Sequence, residues 1–258
     1  MDIKTWMEWY KEIIYTLGFK KDDDELSAKY LNDFLKCHFD NNHTANKSIS
    51  FNDLPFAENI IVFGAGPSLK QHIKMIKSSI LSKKSSKFII ISADGATTAL
   101  IEENIIPDII VTDLDGKIDD LINANNYGAF MVIHAHGNNL NVLKSNLKNF
   151  KKILGTTQNI PLEYVHNFGG FTDGDRSVFL AVQLGAKKII MGGMDFGEVV
   201  TQYSRPDMIN QTGPADNVKK IKLKYASKLV EWIKENEDVM IYNLSEIKDP
   251  DFILNNLL

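Results

Sequence analysis

Residues 87–116 read KFIIISADGATTALIEENIIPDIIVTDLDG. Two runs rich in Ile and Val, each ending on acids, flank Ala96–Glu103, which reads as a helix. Neither run alternates apolar with polar residues, so each suits a strand covered on both faces, and such strands belong to parallel sheets with helices on either side. The rhythm continues outward: NIIVFG (59–64) precedes this unit, and AFMVIHAHG (129–137), KKILGTT (151–157), KKIIMGGMD (187–195) and DVMIYNL (238–244) follow it. Several runs end in Gly or Asp, and ligands of open α/β sheets gather beyond the carboxyl ends of strands.

Ahead of residue 59 the pattern differs. DIKTWMEWYKEIIYTLGF (2–19) and DDELSAKYLNDFLKCHF (23–39) carry apolar residues at mixed three and four spacing, which predicts two amphipathic helices, with Asp22–Asp24 capping and charge-matching the start of the second. DNNHTANKSIS (40–50) has the composition of a linker. The expected fold is therefore α/β, a mostly parallel Rossmann-like sheet with helices on both faces. An N-terminal helical segment and linker (1–58) precede an α/β catalytic domain (59–258).

With 258 residues, 44% hydrophobic and 24% charged, the chain can bury a substantial core. Its single Cys37 forms no internal disulfide and is expected to be a buried thiol in a reducing compartment. Charges scattered through Met1–Phe19 break any signal-peptide core, and no run approaches a membrane span, so a cytoplasmic location is expected. Twenty-nine basic against 33 acidic residues argue against a broad nucleic-acid surface and leave room for a small basic pocket. A small ligand is expected; the oligomeric state stays open, a homo-oligomer included.

Asp113 and Asp115 close one apolar run at alternate positions, and in an extended segment such side chains point to the same side. Two like charges raise each other's cost of ionisation, so a cation is expected between them, and Mg2+ suits a few carboxylates completed by water and phosphate oxygens. Asp94, closing a neighbouring run, fits the same metal, a ribose contact or a helix cap; Asp115 could instead cap a helix near Lys117. Gly64, Gly66, Pro67 and Ser68 form a strand-to-helix turn that suits either a nucleotide phosphate or a ligand-free tight turn. Thr172 and Asp173 read as a helix start displaying Arg176 and Ser177, with Arg176 either clamping a phosphate or pairing with Asp173 on the surface. His134 and His136 suit substrate binding or proton handling, or a structural role for one of them.

The ordered set FGAGPSL, SADGA, PDIIVTDLDG, HAHGNN, GTTQ, FGGFTDGDRS and GMDFG resembles the archaeal 6-hydroxymethyl-7,8-dihydropterin pyrophosphokinases over about residues 60–197. The core is also similar to thiamine pyrophosphokinases, whose ADGG and GDxDS strand ends meet Gly95-Ala96, Thr112 and Gly116 here. The resemblance implies diphosphate transfer from ATP to a reduced hydroxymethylpterin in folate or methanopterin-type coenzyme biosynthesis. It implies Mg2+ at Asp113, Asp115 and Asp94, catalytic roles for Asp173 and Arg176, and a nucleotide side shaped by the Gly64–Ser68 turn, Arg176 and Ser177. His134, His136, Asn138, Asn139 and Gln158 are expected on the pterin side. Three alternatives remain: thiamine pyrophosphokinase, against which the single helix after residue 215 counts; a DxD-type nucleotide-sugar glycosyltransferase; and a non-enzymatic dinucleotide sensor, which leaves Asp113 and Asp115 without a role.

Overall fold

Ile60, Ile61, Val62 and Phe63 are all fully buried, alternate side chains entering opposite hydrophobic clusters, as an unbroken apolar run in a two-sided strand must. Each such side chain contributes about 1.5–3 kcal/mol on burial. The computed structural model describes residues 1–39, 48–82 and 88–248. Its strands are β1 (Asn59–Phe63), β2 (Phe88–Ala93), β3 (Ile109–Thr112), β4 (Phe130–Ala135), β5 (Ile153–Thr157), β6 (Val165–His166), β7 (Lys188–Gly192), β8 (Val199–Thr201), β9 (Thr212–Pro214) and β10 (Met240–Asn243). Eight form one sheet in the order β10-β7-β1-β2-β3-β4-β5-β6. Every neighbouring pair in it is parallel.

The helices are α1 (Ile3–Leu17), α2 (Lys21–Phe39), α3 (Leu69–Ser82), α4 (Ala96–Glu102), α5 (Ile118–Asn126), α6 (Leu140–Asn146), α7 (Asp173–Gln183) and α8 (Asn217–Asn236). Residues of α1, α7 and α8 cover one face of the sheet, and α2 to α6 cover the other. The two N-terminal helices thus embrace the sheet from both sides, Trp6, Tyr10 and Ile13 in one cluster and Ala28, Leu31 and Leu35 in the other. Strand order runs outward from β1 to β6 and then jumps back to β7 on the other flank of β1. That reversal opens a crevice beyond the carboxyl ends of β1 and β7.

All seven expected runs are strands of the sheet. β6 is too short to show a pattern, and the antiparallel β8–β9 hairpin was not foreseen. Positions 40–47 of the expected linker lie outside the described residues; beyond them, Ile49 N–H donates to Ile153 O at 3.0 Å, adding a bridge beside β5. Two local expectations are corrected. Cys37 is exposed, because it lies off the Leu31–Leu35 stripe that α2 buries. Asp22–Asp24 charge-match the first turn of α2 as expected, but the helix begins at Lys21, so they lie inside it and do not cap it, and Asp24 is buried and spent on tertiary hydrogen bonds. Among the described residues no helix is long and apolar enough to cross a membrane.

Candidate active site

The acids meet at the carboxyl edge of β2 and β3, though the geometry differs from an extended strand. β3 ends at Thr112, and Leu114 adopts a left-handed φ of 67°, so a turn brings Asp113 and Asp115 together. Leu114 N–H donates to Thr112 Oγ1 at 2.8 Å, and Asp115 N–H to Asp113 Oδ1 at 3.2 Å, which hold the turn. Asp94 follows β2 with φ 40°, a costly value for a residue with a Cβ, and its carboxylate accepts from Thr112 Oγ1. One oxygen from each of Asp94, Asp113 and Asp115 lies within 4.8 Å of the others. Neither capping alternative holds: α4 is preceded by Gly95, and α5 by Lys117 with no side-chain cap bond.

Crowding shows in the electrostatics. Burial, then the charges of Asp115 and Asp113, push the Asp94 carboxyl well above the usual range. Asp115 stands at the open side of the cleft, yet partial desolvation by the packed residues around it, followed by the Asp113 charge, raises it to about 6. Burial acts on Asp113 too, yet His136 Nε2, donating to Asp113 Oδ2 at 2.9 Å, outweighs it and holds that carboxyl below the ordinary range.

The acids line a cleft of about 1070 Å³, measured to its open mouth. Arg176 from α7 and Lys219 and Lys222 from α8 line the same cleft. Arg176 is only 7% exposed and donates from Nη2 to Gln158 Oε1 at 3.0 Å, which overturns the surface pair with Asp173. Thr172 caps α7, but Asp175 closes the capping box, accepting from Thr172 N–H at 2.8 Å. Asp173 faces the cleft, its buried Oδ1 has no hydrogen-bond partner among the described residues, and burial with the charges of Asp113 and Asp94 drives it well above the usual range. Phe19 and Phe171 add apolar walls, and Lys222 Nζ lies 5.7 Å and 5.8 Å from their ring centres.

Other expected residues divide. His136 and Gln158 line the cleft. His134 is fully buried, bonded through Nδ1 to Thr156 Oγ1 at 3.1 Å, and Asn138 is exposed outside the lining. Asn139 is buried and bonds the backbone of His134 and Asp113 at 2.7 and 3.0 Å, bracing the acid turn from behind. Ser177 is buried and donates to Asp173 O at 2.6 Å. Gly64, Gly66 and Pro67 line the cleft, while Ser68 donates to Asp195 Oδ2 through both N–H (3.2 Å) and Oγ (3.0 Å). The anion at the start of α3 is thus the protein's own carboxylate, and a Cβ on Gly66 would lie 2.1 Å from it.

Sequence reasoning missed Lys219, Lys222, Phe19, Phe171 and Asp195. The lysines' i, i+3 spacing, with Leu223 beside them, was the available signal in a lysine-rich helix.

The chain matches the family model described as 6-hydroxymethylpterin diphosphokinase MptE-like over residues 34–201, a segment that holds Asp94, Asp113, Asp115, Asp173 and Arg176 but not Phe19, Lys219 or Lys222. Beyond that segment it is 52% identical over 241 residues to a Methanothermobacter thermautotrophicus protein named 6-hydroxymethyl-7,8-dihydropterin pyrophosphokinase, covering 93% of this chain and 99% of that one. Proteins of the same name from Methanocaldococcus jannaschii and Pyrococcus furiosus are each 42% identical, over 93% of this chain and 98% and 99% of theirs. With the acid turn, the buried guanidinium and these near full-length matches together, the chain belongs to the 6-hydroxymethylpterin diphosphokinase MptE-like family.

Proposed function

We propose that this protein transfers diphosphate from ATP to the hydroxymethyl oxygen of 6-hydroxymethyl-7,8-dihydropterin, releasing AMP. The observation that carries the reading is one cleft in which three converging carboxylates face Arg176, Lys219 and Lys222. The near full-length relatives bearing the pyrophosphokinase name support it. Two of the three acids, Asp94 and Asp115, are held above the usual range by burial and by neighbouring carboxylate charge, that of Asp113 in both cases, a state that a divalent cation would relieve, and all-oxygen donors suit Mg2+. Asp94, Asp113 and Asp115 would hold it. Bound there, it would neutralise charge on the phosphate oxygens.

The remaining work falls to the chain's own groups. Arg176, fixed by Gln158, presents a guanidinium to the phosphates, and Lys219 and Lys222 add charge along the same wall. Phe19 and Phe171 offer faces for a flat ring and exclude water. In the reaction the hydroxymethyl oxygen forms a bond to the β-phosphorus, the bridge between α- and β-phosphates breaks, and AMP leaves with that bridge's electron pair while the hydroxyl proton is released. Such a transfer runs mainly on positioning and electrostatics. The product serves folate or methanopterin-type coenzyme synthesis, in the cytoplasm. The test is incubation with ATP, Mg2+ and the reduced pterin, with AMP, ADP and pterin diphosphate quantified. Equal amounts of AMP and pterin diphosphate are expected; stoichiometric ADP refutes diphosphate transfer.

A further inference from the structure

Asp24 lies in the first turn of α2, is 2% exposed, and is remote in sequence from the rest of the site. Its carboxylate accepts three hydrogen bonds. Gly137 N–H reaches Oδ1 at 2.7 Å, while Tyr10 O–H and Gln158 Nε2–H reach Oδ2 at 2.7 and 2.8 Å. Gln158 in turn accepts from Arg176 through Oε1, and its backbone carbonyl accepts from Trp6 Nε1 at 2.7 Å. A carboxylate only accepts, a guanidinium only donates, and an amide has one end of each kind. Asp24 thereby decides which end of Gln158 meets Arg176: Nε2 must turn to Asp24, and Oε1 is left for the guanidinium.

We infer that Asp24 is a positioning residue for ATP, orienting Gln158 and through it Arg176, so that the two N-terminal helices are a working part of the phosphate site. The inference rests on the reading of the cleft as an ATP site. It accounts for the cluster of bonds that α1 and α2 make to residue 158 and to the loop after β4, more than packing two amphipathic helices onto a sheet requires.

Polarity supplies the test. In Asp24→Asn, Gly137 N–H pins the new amide oxygen at the Oδ1 position, so Nδ2 confronts Gln158 Nε2 and the glutamine flips, presenting N–H groups to Arg176. Loss of about 10- to 100-fold in kcat/KM for ATP is expected, the size of a misplaced positioning group. Asp24→Asn combined with Gln158→Glu restores an acceptor toward both Asn and Arg176 and should recover most of that loss. Tyr10→Phe removes one bond to Asp24 without reversing any polarity, so it should lower the melting temperature and cost far less in kcat/KM for ATP than Asp24→Asn does. Parental kcat/KM in Asp24→Asn, or a double variant no better than Asp24→Asn, overturns the inference. Should Asp24→Asn fail to fold, Gln158→Glu alone decides. It sets two carboxylates together, so its kcat/KM relative to the parent must rise as pH falls and the pair takes up a shared proton; a flat ratio overturns the inference. The parent assayed alongside separates the two claims. No AMP from it defeats the diphosphokinase reading, whereas an active parent matched by Asp24→Asn defeats the Asp24 role alone.

Discussion

Gly116→Ala probes the proposed metal seat with a single methyl group. Gly116 does not adopt a left-handed φ, so alanine adds no backbone strain there. Its Cβ, however, would lie 2.3 Å from Asp94 Oδ2, 2.8 Å from Cγ and 2.9 Å from Oδ1, where ordinary contact begins at 3.4 Å. The carboxylate must retreat by about 1 Å, and a displacement of that size at a reacting centre costs about 100-fold in rate, or about 2.7 kcal/mol. The side chain cannot absorb this quietly, because Asp94 is buried, held at φ 40° and bonded to Thr112. Mg2+ demands near-ideal octahedral geometry, so its affinity should fall with the rate. Folding suffers less: overpacking costs about 1–3 kcal/mol, against a typical stability of about 5–15 kcal/mol. The assay is AMP release across a Mg2+ titration, paired with a thermal melt that should fall by only a few degrees. A folded Gly116→Ala protein with parental rate and parental Mg2+ midpoint would refute the placement of Asp94 in the metal seat.

Asp113→Asn or Asp115→Asn should abolish turnover, a loss of several kcal/mol in transition-state stabilisation, while the melt stays cooperative; near-parental single-turnover rates at saturating Mg2+ would contradict the assignment. Mg2+ should raise the melting temperature more at pH 8 than at pH 5. Asp115, near 6 when folded against about 3.9 unfolded, costs stability that sets in above the lower value and is complete above the higher, Asp94 and Asp173 shift the same way, and Asp113, held low, stays ionised throughout. An equal shift at both pH values counts against the cluster as a cation site. Arg176→Ala should weaken ATP use, and Arg176→Lys restore it only in part, since an ammonium cannot reproduce a planar fork; unchanged ATP binding in Arg176→Ala removes its phosphate role.

The strands were legible because a two-sided strand needs an unbroken apolar run, and seven such runs stand between polar-faced segments. The two-residue β6 and the β8–β9 hairpin carry no such run. Of the site, the acids at strand ends were readable from chemistry and position, but the cause of their convergence was not. A left-handed Leu114 is invisible in a sequence, since nothing about leucine announces a positive φ. Asp195 and Asp24 were hidden for another reason. Each acts through a partner more than a hundred residues away, Ser68 in one case and Gln158 in the other, and only the fold supplies such pairs. The surface-pair reading of Arg176 failed similarly, because i, i+3 spacing to Asp173 cannot reveal that the guanidinium is buried against Gln158.

In the proposed ATP site the cations and three of the acids stand on different elements, with Asp173 of α7 among the cations, and that distribution bears on how a polyphosphate would sit. The ends of β2 and β3 carry Asp94, Asp113 and Asp115, which would repel phosphate unless a cation lies between; α7 and α8 carry Arg176, Lys219 and Lys222, which would attract it directly, beside Asp173, which would not. The glycine turn after β1 would be a third anion site, but Ser68 N–H and Oγ already donate to Asp195, so a phosphate there must first displace a bonded carboxylate. On the proposed reading, phosphate binding would therefore rest mainly on the cations of α7 and α8. The β2–β3 acids, on the same reading, would engage phosphate only through a shared cation. Burial lowers the proton affinity of Lys222 and, less consequentially, of Arg176, so both charges are costly, a cost that a bound polyanion would offset. If ATP and a divalent ion bind here as proposed, together they would relieve both the crowded acids and the desolvated cations, so each should tighten the binding of the other.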